Sequence, residues 1–170
     1  MLTPFRSITK LTWLLAIFIV VSASFMRQLL NVTIIFVPKS LITIGIWSLL
    51  LIIPIVFLFL LCKKSKNSRG ILIPTVCALS AVSLAMTMNL PEERVHIIKF
   101  GLLGFLSAKD FKNANHFVLK HSAIFCFLVG AVDELFQSIL PYRVGDIRDV
   151  LFDTVSGILG AIFYISSRKD

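Results

Sequence analysis

The sequence predicts an all-α integral membrane protein, a bundle of about six transmembrane helices with both termini on the cytoplasmic side. Of its 170 residues, 57% are hydrophobic and only 15% are charged, with a mean hydropathy of +0.92; soluble domains are about 45–50% apolar. Six apolar runs approach the roughly 20 residues that a helix needs to span a bilayer. Lys and Arg lie between these runs, as topology signals do, so the net charge of +8 does not indicate nucleic-acid binding.

The six runs predict the helices in order. They are residues 11–26, 41–62, 71–88, 94–108, 117–140 and 150–166. The first follows Arg6 and Lys10 and resembles a signal peptide, but we expect a retained helix because five further apolar runs follow it. Pro54 lies inside the second run and predicts a kink. We divide the chain into residues 1–70, with two helices and a basic cytoplasmic loop, and residues 71–170, with four helices.

The last four runs contain small or polar residues that bear on packing and function. The third is rich in Ala, Ser and Thr, which let membrane helices approach closely. The fourth is shorter and contains His96 and Lys99. In the sixth, Gly157 and Gly160 predict a close-packing face on that helix.

The distribution of basic residues predicts the orientation of the bundle. With the amino terminus inside, eleven Lys and Arg residues fall in cytoplasmic segments, five fall on the opposite side, and Lys99 lies within a span. This excess follows the positive-inside rule. Two acidic clusters then lie on the outer side, the first at the start of the fourth helix and the second between the fifth and sixth helices.

Those two clusters contain seven of the nine carboxylate side chains. They are Glu92 and Glu93 in the first cluster, and Asp133, Glu134, Asp146, Asp149 and Asp153 in the second. Ionisable groups are costly wherever lipid replaces water, so their presence in so apolar a chain indicates a functional site.

Helical spacing predicts which of these side chains share a face. Asp133 and Gln137 lie four residues apart, and Asp149 and Asp153 are again one turn apart on the next helix. A helix hairpin would bring these acids toward Arg143 in the connecting loop, so that opposite charges offset each other's cost of burial.

The first cluster continues as a polar stripe along its own helix. Pro91 can open that helix, and His96 follows Glu92 by four residues and precedes Lys99 by three. Because the rest of this helix is apolar, the stripe must face protein or water.

Two plainer interpretations compete with a functional site. Salt bridges and hydrogen bonds from Arg143 and Lys99 could simply lock the hairpin, and His96 could be a packed, hydrogen-bonded ring. A single His with scattered acids is not a zinc signature, although an oxygen-rich Mg²⁺ or Ca²⁺ site is compatible with the carboxylates. The sequence therefore leaves the identity of any metal open.

Two segments resemble the VanZ-like family of bacterial integral membrane proteins, named after a member associated with teicoplanin resistance. The first is Glu92 to His96 followed by Phe100-Gly101-x-Leu103; the second runs from Asp133-Glu134-x-x-Gln137 through Pro141-x-Arg143-x-Gly145-Asp146-x-x-Asp149 to Gly157-x-x-Gly160. The resemblance covers about residues 90–162. The chain departs from the usual family pattern at four positions, which are Glu93, Phe100, Tyr142 and Asp153.

The resemblance implies a helical domain of the bacterial cytoplasmic membrane, connected with the cell envelope and in some members with antibiotic resistance. We expect an outward-facing polar pocket that binds, and could modify, a lipid-linked cell-wall intermediate or a lipoglycopeptide, with membrane lipids as further partners and no nucleic acid. A small ion-coupled transporter and a non-catalytic structural or partner-binding protein fit the same residues.

If the protein is an enzyme, the candidate catalytic residues are His96 and Glu134 as an acid/base pair, with Asp149 holding a ring, an Arg or a metal. The candidate binding residues are Glu92, Lys99, Asp133, Gln137, Arg143, Asp146 and Asp153.

Overall fold

The computed structural model describes residues 8–64, 69–88, 91–113, 117–141 and 145–168. In these ranges the chain is all-α, as predicted, and contains no strand. The helices are α1 (Lys10–Phe36), α2 (Lys39–Lys64), α3 (Arg69–Met86), α4 (Pro91–Asp110), α5 (Val118–Ile139) and α6 (Ile147–Ser167), with a short 3₁₀ helix at Phe111–Asn113.

Three of these helices are long and apolar enough to cross a membrane. They are α2, over Lys39–Lys63, α5 and α6. The α1 helix bends by 56° between Lys10–Met26 and Gln28–Phe36, and this pair makes a fourth candidate if it crosses as one span. The apolar part of α3, Gly70–Met86, is shorter than a full span. The chain is therefore a membrane protein whose described residues include three or four helices of full spanning character, while six spans and the orientation stay predictions.

Prolines and caps explain most of the helix ends. The α1 helix bends at the end of the first apolar run and continues to Phe36, just before Pro38. Pro91 begins α4, where its missing N–H costs nothing. Asp146 caps α6 by accepting a hydrogen bond from the Arg148 backbone N–H at 2.9 Å.

Small residues let α4 and α6 run side by side in parallel. A Cβ atom added to Gly104 would overlap the carbonyl oxygen of Gly157, and one added to Gly160 would overlap that of Gly101. These two helices make the most extensive contact in the described structure, and α5 packs antiparallel against α6. The predicted close-packing face of Gly157 and Gly160 therefore meets a matching face on α4.

The other helices surround this centre. The α1 helix packs on α4 and α5, while α3 packs on α6 and α2 lies against α3 and α4. One apolar core, which includes Ile19, Phe100 and Phe125, joins α1 to α4–α6, and a second, which includes Leu50 and Ile97, joins α2, α3 and α4. The large apolar side chains left exposed on α1 and α2 are what a lipid-facing surface requires.

At the far end of α4, a polar contact fastens α1 in place. The Asp110 Oδ2 atom accepts hydrogen bonds from the Thr9 N–H at 2.9 Å and from the hydroxyls of Thr9 at 3.0 Å and Thr12 at 2.6 Å. Because Thr12 is fully buried, this contact fixes the height of α1 against α4.

Candidate functional site

Three helices bring five polar side chains together at one end of the bundle. His96 comes from α4, Asp133, Glu134 and Gln137 from the end of α5, and Asp153 from α6. We call these five residues the polar cluster. All are buried except His96, whose side chain is 12% exposed. Because α4 and α6 run parallel and α5 runs antiparallel to both, the end of α5 lies beside the starts of α4 and α6. Segments that are distant in sequence therefore meet here.

His96 lies at the centre of the polar cluster. Its Nδ1 atom is 3.2 Å from Asp153 Oδ1 and 3.4 Å from Asp153 Oδ2, and 3.9 Å from Asp133 Oδ2. An ionised carboxylate only accepts hydrogen bonds, so a protonated Nδ1 donates to Asp153. The ring also stacks on Phe100, with centroids 6.0 Å apart and planes 24° apart, which restricts its rotation.

Glu134 and Gln137 are held by the connection between α5 and α6. The Gln137 side-chain amide donates to Asp133 Oδ2 at 3.2 Å and to Glu134 Oε1 at 3.1 Å. The Asp146 backbone N–H donates to Glu134 Oε2 at 2.9 Å. Gly145 makes this approach possible, because an added Cβ atom would lie only 2.8 Å from the Glu134 carbonyl oxygen. Glu134 is therefore positioned by backbone as well as side-chain donors.

Lys99 adds a positive charge beside the polar cluster. It lies one turn after His96 on α4, is 8% exposed, and donates to the Ser22 hydroxyl on α1 at 2.8 Å. It also interacts electrostatically with His96, Asp133 and Asp153. The structure thus places Lys99 between α1 and the carboxylates of Asp133 and Asp153.

The remaining predicted residues form a more exposed rim. The Asp146 carboxylate accepts hydrogen bonds from the Arg148 guanidinium at 2.9 and 2.6 Å, and this contact holds the pKa of the Asp146 carboxyl below its usual range. Asp149 is half-buried and interacts electrostatically with Glu93, His96 and Asp153. Asp149 therefore lies next to the polar cluster, one turn before Asp153 on α6.

Two of the predicted binding residues are not placed. Arg143 lies outside the described residues, as does the side chain of Glu92, although its backbone belongs to α4. Their predicted contacts with substrate or with the acids stay predictions.

Arg94 is a further candidate, one of the five basic residues that the sequence places on the outer side without predicting a role in the site. Its guanidinium donates to the Met88 carbonyl at 2.8 Å and lies over the Trp47 ring of α2, 5.1 Å from the centroid. It stands one turn before Ile97 and Ile98 on α4, both of which line an apolar groove. In the sequence, the signal for this position was an Arg that precedes two apolar residues, Ile97 and Ile98, by about one helical turn.

The groove lies between α2, α3, α4 and α6. It has a volume of about 250 Å³, and apart from Ser156 its lining consists of apolar side chains and glycines; Pro54, Phe57, Ala78 and Phe105 are among them. Ile97 directly follows His96, and Ser156 lies one turn beyond Asp153. The groove lining therefore includes residues within one helical turn of two members of the polar cluster, His96 and Asp153.

The polar cluster has the groups for proton transfer and for cation binding. An imidazole beside two carboxylates can accept, hold and return a proton. Ligand atoms from His96, Asp133 and Asp153 all lie within 4.8 Å of one another, so these three residues could also hold a metal ion. Both uses require that α4, α5 and α6 pack closely together, which the glycines permit.

Comparison with known proteins gives one family. The family model described as VanZ/LLP1 matches residues 1–168, so the match includes α1 to α3 as well as the motif-bearing helices. No curated protein and no solved structure matches the chain.

Proposed function

The chain belongs to the VanZ/LLP1 family, and from this premise we propose that it is a multi-pass protein of the bacterial cytoplasmic membrane that binds a lipid-linked cell-wall intermediate or a lipoglycopeptide. In this proposal the polar cluster receives the polar part of the ligand, and modifies it if the protein is an enzyme. A role in antibiotic resistance follows if the bound molecule is one that the antibiotic recognises.

The observation that carries the proposal is the position of buried charge beside an open apolar groove. Asp133, Glu134 and Asp153 are at most 5% exposed in a chain that is 57% hydrophobic. Keeping such groups in a bilayer is costly unless they serve a purpose. The groove lining includes Ser156, three residues after Asp153 on α6, and Ile97, next to His96 on α4. A molecule with a polar head and an apolar chain would match both features.

Arg94 supports an anionic head group. Its guanidinium lies over the Trp47 ring, and Arg94 precedes the groove-lining Ile97 and Ile98 by one turn of α4. Guanidinium groups bind phosphate and carboxylate in bidentate fashion. Its Nε atom is buried without a hydrogen-bond partner among the described residues. Arg143, in the α5–α6 connection, is proposed to contribute a second guanidinium to the same anion.

If the ligand is modified, His96 and Glu134 are the proposed acid/base pair and Asp149 the proposed orienting group. The described geometry holds each of the two: His96 by Asp153 and Phe100, and Glu134 by Gln137 and the Asp146 N–H. Restriction of this kind is what general acid/base groups require.

Lipid binding by the purified full-length chain tests the proposal. The affinities of the protein for a polyprenyl phosphate, a zwitterionic phosphatidylcholine and inorganic phosphate would be compared in nanodiscs. Native mass spectrometry, or quenching of the protein's tryptophan fluorescence by the ligand, would measure them. We expect the polyprenyl phosphate to bind at least about tenfold more tightly than the other two, since both chain and head contribute, and tenfold corresponds to about 1.4 kcal/mol. Equal affinity for the polyprenyl phosphate and the phosphatidylcholine would reject the proposal.

A groove-filling variant provides the matched comparison. Ala78→Phe places a ring in the groove and is expected to weaken binding of the polyprenyl phosphate. Leu79→Phe introduces the same ring one residue later, at a side chain that is 63% exposed on α3, and is expected to leave binding unchanged. If both variants bind as the wild type does, the apolar chain of the ligand does not occupy the groove.

A further inference from the structure

We propose that His96, Asp133 and Asp153 bind a divalent transition-metal ion of the series from Mn²⁺ to Zn²⁺. The proposal goes beyond the binding function above and does not depend on it, because it concerns an ion held by the protein itself. It rests on the spacing of the ligand atoms, on an unpaired oxygen, on the charge balance and on the types of donor.

The spacing of the ligand atoms fits one ion. His96 Nδ1 lies 3.2 Å from Asp153 Oδ1 and 3.9 Å from Asp133 Oδ2, and one ligand atom from each residue falls within a common span of 4.8 Å. Metal–ligand bonds of about 2.0–2.2 Å separate two ligands by roughly 3 to 4.4 Å, depending on the angle between them. Only small side-chain adjustments would therefore bring all three onto an ion.

An unpaired oxygen points to a missing positive partner. Asp133 is fully buried, and its Oδ1 atom has no hydrogen-bond partner among the described residues. A buried carboxylate oxygen without a donor costs free energy. The same carboxylate faces His96 through Oδ2, so an ion shared with His96 and bound by both oxygens of Asp133 would satisfy Oδ1.

With all three carboxylates of the polar cluster ionised, the charge balance also favours a bound cation. Asp133, Glu134 and Asp153 are three buried carboxylates, whereas Lys99 is the one buried Lys or Arg among the described side chains. A protonated His96 would leave this group with one excess negative charge. A divalent ion, with His96 neutral as a ligand, would bring the sum of the formal charges to zero, which lowers the cost of burying them.

The donor types narrow the class of ion. The sequence suggested an oxygen-rich site for Mg²⁺ or Ca²⁺, but an imidazole nitrogen with two carboxylates suits Mn²⁺, Fe²⁺ or Zn²⁺ better. The surroundings also supply outer partners: Gln137 donates to the Asp133 carboxylate at 3.2 Å. Hydrogen bonds of this kind orient ligating groups in metal sites.

Metal content of the wild-type chain is the direct test. The full-length protein, purified in detergent without chelator, is expected to retain a single transition-metal ion per chain in elemental analysis. After chelator stripping, it is expected to take up Zn²⁺ or Mn²⁺ in equilibrium dialysis. Mn²⁺-loaded protein should show ¹⁴N coupling from an imidazole in pulsed electron paramagnetic resonance, and His96→Ala should remove that coupling.

Asparagine variants locate the ion. Asp133→Asn and Asp153→Asn are expected to weaken Zn²⁺ binding by more than the roughly 10–100-fold that loss of an outer-shell partner costs. Asp110→Asn removes the same charge at the opposite end of α4, where it contacts Thr9 and Thr12, and should bind Zn²⁺ as the wild type does. A stripped wild-type chain that takes up no more Zn²⁺ or Mn²⁺ than Asp133→Asn would overturn the proposal and leave an ion-pair network. Because no lipid enters these measurements, their failure is separate from failure of the lipid-binding test.

Discussion

The role of Lys99 depends on which residues the fold brings next to it. Its burial among apolar neighbours of α4 was predictable, because an ammonium in such a helix must face protein or water. Its partner was not, since Ser22 lies 77 residues earlier, in the first apolar run, which resembles a signal peptide. The contact between them shows α1 packed into the site that α4 to α6 form.

We expect Ser22→Ala to lower the free energy of unfolding by about 1–2 kcal/mol. Hydrogen bonds to charged groups contribute more stability than the roughly 0.6 kcal/mol that is the mean for interhelical hydrogen bonds in bilayers. The free energy of unfolding in detergent, measured by tryptophan fluorescence, would reveal the change. Ser138→Ala is the control, since that hydroxyl is exposed and donates within its own helix to Leu135. Equal effects of both changes would mean that the Lys99 contact contributes nothing.

Spacing in the sequence predicted some of the side-chain contacts within the polar cluster. Asp133 and Gln137 share a face and bond to each other, as four-residue spacing requires. The pairing of His96 with Asp153 depended on the register of two helices, which no local pattern specifies. The sequence predicted no role in the site for Arg94, because its position over Trp47 depends on how α2 packs.

Among the helices, the contact between α4 and α6 matters most for the polar cluster. The sequence indicated a small-residue face on α6, and the matching Gly101 and Gly104 of α4 became evident only when the two helices were seen together. The length of α1 was underestimated for a different reason. The apolar run stops at residue 26, but a helix continues until a breaker such as Pro38 ends it.

Gly160→Ala should force α4 and α6 apart and destabilise the protein by roughly 1–3 kcal/mol, the usual cost of overpacking. The physical reason is overlap of the new methyl group with the backbone of Gly101. The thermal unfolding midpoint in one detergent is the measurement, with the yield of folded protein as a second readout.

Gly45→Ala is the matched control for that change, because nothing lies within 4 Å of the added Cβ atom. It is expected to be neutral or stabilising, since Ala favours the helix over Gly by up to about 1 kcal/mol. Similar destabilisation by both substitutions would contradict a close approach of α4 and α6.

For the whole molecule, composition sufficed to predict a helical membrane protein, because hydrocarbon content on this scale is incompatible with a soluble core. The number of spans is harder to predict. The α3 helix is short, and α4 is polar at its first turns, so their burial comes from neighbours and not from their own hydropathy. The side of the membrane that the polar cluster faces still rests on the distribution of Lys and Arg.

The central claim is that the polar cluster binds a ligand and is not merely a structural link between helices. The most direct measurement compares Glu134→Gln with the wild type in protein abundance, thermal unfolding and affinity for a polyprenyl phosphate. Glutamine removes the charge and keeps an acceptor for the Asp146 N–H, while an NH2 group replaces the oxygen that accepts from Gln137. We predict unchanged abundance and unfolding with affinity lowered at least about tenfold, or 1.4 kcal/mol; unchanged affinity, or abundance and affinity lost together, would contradict the account.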